Sequence, residues 1–258
     1  MYTRKLRKLG LLIQARRKLW SQIRYELSDM EWRLEHAPFL PQVELAEIVA
    51  DFPAVSLINP GFQGGNVSPE ELVAIASLVA QYRPTTSVEI GTFDGNTTLQ
   101  IAANSAPDGN IFSLDLPLEN AIVPAEAACG DGQFILSDAR QQRKFKGSSF
   151  AARIKEIYGD SKTFDFQTAL AGATVDLAFI DGSHSYEYVR NDTERIIPLL
   201  SRTSVIIWHD YCRSWPGVVR YLNELGKSHP LVHIAGTSVV FWARDNRSNR
   251  QQNTSNLV

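Results

Sequence analysis

Ser87-Val88-Glu89-Ile90-Gly91-Thr92-Phe93-Asp94-Gly95-Asn96-Thr97-Thr98, residues 87–98, is the stretch whose reading decides the fold. A short β-rich apolar run stops at one glycine, turns to a second, and continues into a segment that reads as a helix over 97–104. Gly91 and Gly95 allow a tight turn and a close approach of a ligand to the backbone. Upstream, Ser68-Pro69-Glu70-Glu71 combines a cap residue, a proline at the first helical position and a glutamate at the third. That capping box predicts a helix running to about Tyr82, where Pro84 stops it. Downstream, β-rich runs at 110–114, 154–158, 175–180 and 205–208 alternate with helical stretches that include 186–200 and 218–225. Strands alternating with helices predict a parallel sheet covered on both faces. Residues 231–243 differ: two β-rich runs joined through Gly236 read as a hairpin that adds an antiparallel edge. The expected fold class is therefore α/β, a doubly wound, mostly parallel seven-stranded Rossmann-like sheet with an antiparallel C-terminal hairpin.

In an open parallel sheet, ligands bind beyond the carboxyl ends of the strands, so the residues just after each strand carry the chemistry. The second strand ends in Asp115, 24 residues beyond Gly91, where an acid is placed to accept both hydroxyls of a ribose. The third is followed by Gly159-Asp160-Ser161, the fourth by Asp181-Gly182-Ser183-His184, and the fifth by His209-Asp210-Tyr211. Asp115 and Asp160 also have a plain alternative role as helix caps. The turn is not Gly-x-Gly-x-x-Gly, so a nicotinamide dinucleotide fingerprint is not supported.

Composition narrows the class. With 258 residues, 44% of them hydrophobic and 21% charged, the chain has the make-up of a globular protein with a large core. Cys129 and Cys212 are its two cysteines, which leaves no disulfide framework and no zinc spacing, and a reducing cytoplasmic setting is expected. The net charge of -2 hides an asymmetry: residues 1–25 hold eight basic side chains and no acid, so the remaining 233 carry 18 basic against 28 acidic. An acidic body repels phosphate, and no nucleic acid partner is expected.

As a set, the ordered strand-end motifs are specific. Residues 89–98 resemble the first motif of class I S-adenosylmethionine-dependent methyltransferases, in the variant of the catechol O-methyltransferase-like enzymes with a displaced second glycine. Asp176-Leu177-Ala178-Phe179-Ile180-Asp181-Gly182-Ser183-His184-Ser185-Tyr186 and Val205-Ile206-Ile207-Trp208-His209-Asp210-Tyr211 resemble the bacterial group related to macrocin and other sugar or antibiotic O-methyltransferases. The resemblance covers roughly residues 70–243. It implies S-adenosyl-L-methionine as cofactor, with Glu89, Gly91, Thr92 and Gly95 around its methionine end, Asp115 at the ribose, Asp160 and Ser161 at the adenine, and Asp181 nearby. It also implies a small-molecule acceptor and a crevice in which Asp181 and Asp210 hold Mg2+ or another divalent metal that lowers the pKa of the acceptor hydroxyl. His209 and Tyr211 stand where the catechol-type relatives place a further oxygen ligand, so a metal-free route is open in which His184 or His209 is the general base. Catalysis is thus assigned to His184, His209 and Asp210. Two other readings remain: a hydroxylase with iron on Asp181, His184 and His209, and a cofactor-binding scaffold without activity.

The acceptor is chosen by loops: the segment 36–67, a candidate lid, and the insertion 117–149, whose Arg140, Arg143, Lys144 and Lys146 read either as an anion site or as solvated surface. Residues 68–245 form the expected catalytic domain, and 246–258 a polar disordered tail. Residues 1–35 form an amphipathic helix with apolar seam positions Tyr2, Leu6, Leu9, Ile13, Trp20, Ile23, Leu27, Met30 and Leu34, broken by Arg16. Its stripe needs a cover, and a homo-oligomer through this helix is expected, with peripheral membrane contact left open by its basic face.

Overall fold

The computed structural model describes residues 16–28 without 17 and 25, and residues 37–244 without 52, 120 and 129. The chain divides into two compact units, Met1–Ala37 and Pro38–Val258. In the first, residues 18–24 and 26–28 are helical, and Trp20 and Leu27 of the predicted seam are exposed. The remaining seam positions, apart from Arg16 and Ile23, lie outside the described residues, as does the tail 246–258.

The second unit is built on one sheet. Its strands are β1 (Gln42–Val43), β2 (Thr86–Ile90), β3 (Asn110–Asp115), β4 (Ile154–Tyr158), β5 (Val175–Ile180), β6 (Leu200–Trp208), β7 (Val232–Ile234) and β8 (Val240–Arg244). They lie in the order β1-β7-β8-β6-β5-β2-β3-β4, with β8 antiparallel to both neighbours and every other pairing parallel. The doubly wound, mostly parallel sheet and its C-terminal hairpin are as expected. The strand count is eight instead of seven, because Gln42 and Val43 pair with His233 and Ile234 and cover what would be the open edge of the hairpin. Two residues carry no period, so this strand leaves no pattern to read.

The helices are α1 (Leu45–Ile48), α2 (Pro69–Tyr82), α3 (Asn96–Asn104), α4 (Gly132–Ile135), α5 (Phe166–Leu170), α6 (Tyr186–Ile196) and α7 (Pro216–Leu225). The predicted capping box is present: Ser68 Oγ accepts from the Glu71 N–H, and the Glu71 carboxylate accepts from the Ser68 N–H. Alternate residues of the strands feed two cores. Leu177, Phe179, Val205 and Ile207 pack against Leu72 and Ile75 of α2 and Leu99 of α3. Ala178, Ile180, Ile206 and Trp208 pack against Val189 and Ile196 of α6 and Val219 and Leu222 of α7. These side chains are nearly all below a tenth exposed, and burying each aliphatic or aromatic one contributes roughly 1.5–3 kcal/mol before chain entropy is subtracted.

The chain turns back between β2 and β5, which are neighbours although β3 and β4 lie between them in sequence. This is the switch point where an open sheet leaves a crevice. Along α3 runs a strap, residues 56–61, held by an amide ladder on that helix. Asn104 exchanges two hydrogen bonds with the Ser56 backbone (2.8 and 2.8 Å), Gln100 two with Ile58 (2.7 and 3.0 Å), and Asn96 Oδ1 accepts from the Gly61 N–H (2.8 Å). The spacing of four places all three amides on one helix face. Among the described residues, no helix is long and apolar enough to cross a membrane.

Candidate active site

A cavity of about 240 Å³ opens at the carboxyl ends of β2, β3, β4, β5 and β6. Of the residues expected in the site, Gly91, Thr92, Asp115, Asp160, Ser161, Asp181, His184, His209 and Asp210 line it, and Glu89 and Gly95 do not. Gly91 has φ +95°, and a Cβ there would lie 2.0 Å from the Asp181 carbonyl oxygen. Its freedom therefore serves the close passage of the β5 end, and the residue also lines the cavity. Gly95, with φ +77°, starts α3 against the Phe145 ring, where a Cβ would come within 2.6 Å. Glu89 is fully buried within the sheet, where one carboxylate oxygen accepts from both Thr98 and Ser113 hydroxyls. Burial pushes its pKa up to about 8. It ties α3 to β2 and β3 instead of facing the cavity.

At the β3 and β4 end, Asp115 is paired with two arginines of the insertion, Arg140 Nη2 at 3.1 Å and Arg143 Nη2 at 3.0 Å. Arg143 also pairs with Glu156 at 2.6 Å. Both guanidinium groups are buried, so they are not solvated surface, and Arg140 lines the cavity. For Arg143, burial disfavours the charge, but the Asp115 charge and the Glu156 hydrogen bond outweigh it. Neither strand-end acid caps a helix. Asp160 accepts from the Lys162 N–H and the Tyr188 hydroxyl, and Tyr188 lines the same end of the cavity.

At the β5 and β6 end, acids and imidazoles alternate. His184 Nδ1 donates to Asp131 Oδ1 (2.6 Å) and Nε2 to Asp210 Oδ2 (2.7 Å). Burial lowers the His184 pKa, but these two hydrogen bonds carry it up to about 9. His209 Nδ1 lies between Asp181 Oδ1 (3.1 Å) and Asp210 Oδ2 (3.2 Å), and Nε2 donates to Glu71 Oε2 (3.2 Å). Burial again opposes the charge, yet the Asp181 charge raises His209 well above its usual range. Asp210 is pulled well down in spite of burial by its bonds from both imidazoles, whereas burial raises Asp181. With carboxylates at every ring nitrogen, both imidazoles hold two protons, and neither can accept one from a substrate as it stands. Asp210 sits at φ +61°, in the left-handed region that Asp enters more readily than most residues.

Ligand atoms of Asp181, His184 and Asp210 lie within 4.8 Å of one another and could hold a cation. This three-donor set extends the expected Asp181 and Asp210 pair. It differs from the Asp181, His184 and His209 set of the hydroxylase reading in having Asp210 in place of His209.

Sequence reasoning missed several residues here. Glu71 carried a signal, as the capping-box acid, but its second oxygen also accepts from the Ser238 N–H and hydroxyl (2.7 and 2.7 Å). Trp215 stacks on His184 at 3.9 Å and 18°, and Phe134 meets it edge-on. Asp94 accepts from Asn66 (3.0 Å) and Gln63 (3.0 Å), closing the loop after the strap over the cavity. Asn66 Oδ1 and Asn96 Nδ2 line the cavity with buried atoms that have no hydrogen-bond partner.

Residues 88–211 match a family model described as a methyltransferase domain. Among solved structures, the O-methyltransferase NovP aligns with a TM-score of 0.53 at 17% identity, over 69% of this chain and 80% of that one. CalS11, a calicheamicin methyltransferase, aligns at 0.51 and 15%, over 69% and 80%. The O-methyltransferase TomG from Streptomyces achromogenes, involved in tomaymycin synthesis and solved in complex with SAM, aligns at 0.50 and 16%, over 69% and 80%. At such identities the likeness is one of fold. The uncharacterized protein y4gI of Sinorhizobium fredii is 35% identical over 78 residues, which is 28% of this chain. The match spans 9% of that protein's length.

Proposed function

From the match of residues 88–211 to a methyltransferase domain, we propose that the chain is a class I methyltransferase that transfers the methyl group of S-adenosyl-L-methionine to an oxygen of a small molecule or sugar. One observation carries the reading. A single cavity joins the strand-end acids Asp115 and Asp160 to the cluster of Asp181, His184, His209 and Asp210. The cofactor fits the first end: Asp115 is an acceptor pair at the end of β3 for ribose hydroxyls, and Asp160, Ser161 and Tyr188 form the wall for the adenine. The unpartnered Asn66 Oδ1 and Asn96 Nδ2 offer an acceptor and a donor to the methionine head, in place of Glu89. TomG, solved with SAM, supports the same choice.

When bound, S-adenosyl-L-methionine supplies an electrophilic methyl on a sulfonium that already has a good leaving group, so the protein has to align and deprotonate the acceptor. The second end of the cavity does this. Trp215 and Phe134 form an apolar wall that excludes water from the acceptor hydroxyl. His209 keeps both protons and balances the charge of Asp181 and Asp210. Asp181, raised by burial, is the group able to take the hydroxyl proton, a role that the sequence reading gave to a histidine. A divalent cation on Asp181, His184 and Asp210 would instead lower the hydroxyl pKa directly, and a mixed oxygen and imidazole set suits manganese or a softer ion better than magnesium. The exposed Trp20 and Leu27 support pairing of the N-terminal helix with a second copy, which light scattering of full-length protein and of a variant lacking 1–35 will test.

Calorimetry with S-adenosylhomocysteine is the deciding experiment. Wild-type protein should bind it and Asp115→Ala should not. If the folded wild type fails to bind, methyl transfer is the wrong reaction. If the cofactor product binds but no acceptor in a broad phenol and sugar panel is methylated, the protein is a cofactor-binding scaffold.

A further inference from the structure

The insertion between β3 and β4 places one carboxylate where no strand-end residue could. Asp131 stands at the start of α4 and makes no side-chain cap bond to that helix. Its carboxylate instead accepts from the Ser183 hydroxyl (2.6 Å), the His184 N–H (3.2 Å), His184 Nδ1 (2.6 Å) and, within the insertion, the Ala128 N–H (2.9 Å). It is 2% exposed, and it lines the cavity. Forgoing a cap normally costs a helix about 1 kcal/mol, so these contacts displace a local use of the same acid.

The His184 ring is held on its remaining sides as well. Trp215 lies flat on it at 3.9 Å. The approach of α7 that brings Trp215 there depends on Gly217, where a Cβ would come within 2.5 Å of the His184 carbonyl oxygen and the Tyr186 nitrogen. A ring fixed in its plane by stacking can still flip about its Cβ–Cγ bond, which puts a carbon where each nitrogen stood. An acceptor at Nδ1 removes that freedom, because it keeps a proton on Nδ1 and leaves Nε2 as the atom directed at Asp181 and Asp210.

We propose that Asp131 is a positioning residue: the insertion contributes it to fix His184, so that Nε2 is the atom of this ring presented to the Asp181–Asp210 crevice. A carboxylate behind an imidazole is the arrangement that orients a ring toward a bound cation and strengthens it as a ligand. The proposal rests on the reading of this cluster as the acceptor end of the cavity, but its test reads His184 itself. Coupling through Asp131 also makes the insertion part of the site, so an insertion that undocks leaves His184 free to rotate.

The test uses full-length protein, Asp131→Ala and Asp131→Asn, with Mn2+ as the probe. Asp131→Ala is expected to bind Mn2+ about 10–100-fold more weakly than wild type, with S-adenosylhomocysteine affinity unchanged. Asp131→Asn keeps an oxygen that accepts from Nδ1–H and should recover part of the loss. Equal Mn2+ affinity in wild type and Asp131→Ala overturns the proposal. So does a parallel loss of S-adenosylhomocysteine binding, which marks a merely structural role. If wild type takes up no Mn2+, proton and nitrogen NMR of the His184 ring decides. A slowly exchanging Nδ1 proton in wild type that vanishes in Asp131→Ala supports positioning, and its absence from wild type overturns it. Wild type that fails to bind S-adenosylhomocysteine while keeping that proton would sink methyl transfer and leave the role of Asp131 standing.

Discussion

The two ends of the cavity hold their acids by opposite means. At the β3 end, Asp115 is met by Arg140 and Arg143, cations that keep their charge at any pH a protein survives. At the β5 and β6 end, Asp181 and Asp210 are met by His184 and His209, whose charge depends on their partners. A fixed charge suits a group that has only to hold a ligand. An alternating row of carboxylates and imidazoles suits a group that must give or take a proton. On the proposed reading, the difference assigns binding to one end and chemistry to the other.

The largest test acts on the fixed end. Asp115→Ala leaves two buried guanidinium groups short of a partner, and breaking a buried ion pair in this way costs about 3–5 kcal/mol. Denaturant unfolding should show that loss, and a stability within about 1 kcal/mol of wild type would mean that the arginines are satisfied without Asp115. At the other end, Asp181→Asn should leave unfolding nearly unchanged and lower methyl transfer by about 10²-fold or more at saturating cofactor. Equal turnover would remove Asp181 as the proton acceptor.

A third test concerns Glu89, beneath both ends. Its folded pKa near 8 lies above its ordinary value of 4.5, so its contribution to stability is complete below about pH 4.5 and is lost as the pH rises through 8. Unfolding free energies of wild type should fall across that window relative to those of Glu89→Gln, which cannot ionise. Parallel profiles would show that Glu89 is ionised in the native state. The smallest effect belongs to the strap on α3: Gln100→Ala removes two bonds to Ile58 and should cost about 1–2 kcal/mol, read by unfolding and by faster hydrogen exchange at Ile58.

The same contrast divides what was legible in the sequence from what was not. Strand ends are local signals, so Asp115, Asp160, Asp181, His184, His209 and Asp210 could be picked out from the run of apolar residues before each. The hairpin through Gly236 and the Ser68 cap were legible for the same reason. The partners of those residues were not. Asp131 reaches His184 across 53 positions and Glu71 reaches His209 across 138, and no periodicity links them. Arg140 and Arg143 looked like a basic surface because charge in a loop carries no mark of burial, and only the docking of the insertion on Asp115 and Glu156 turns them inward. The glycine turn was legible, but not that Gly91 also makes room for a neighbouring strand of its own chain. The two-residue β1 was too short to show any pattern at all.

The strap 56–61 is fastened to α3 by amide side chains and not by a ladder of backbone partners. A segment stitched on in this way can be unpicked at Asn96, Gln100 and Asn104 one at a time, while the helix beneath keeps every one of its own turns. The grip on residues 56–61 and the integrity of the sheet are therefore separately adjustable. Exchanges at three positions of one helix could loosen this segment while the floor that carries the strand-end acids stays as it is.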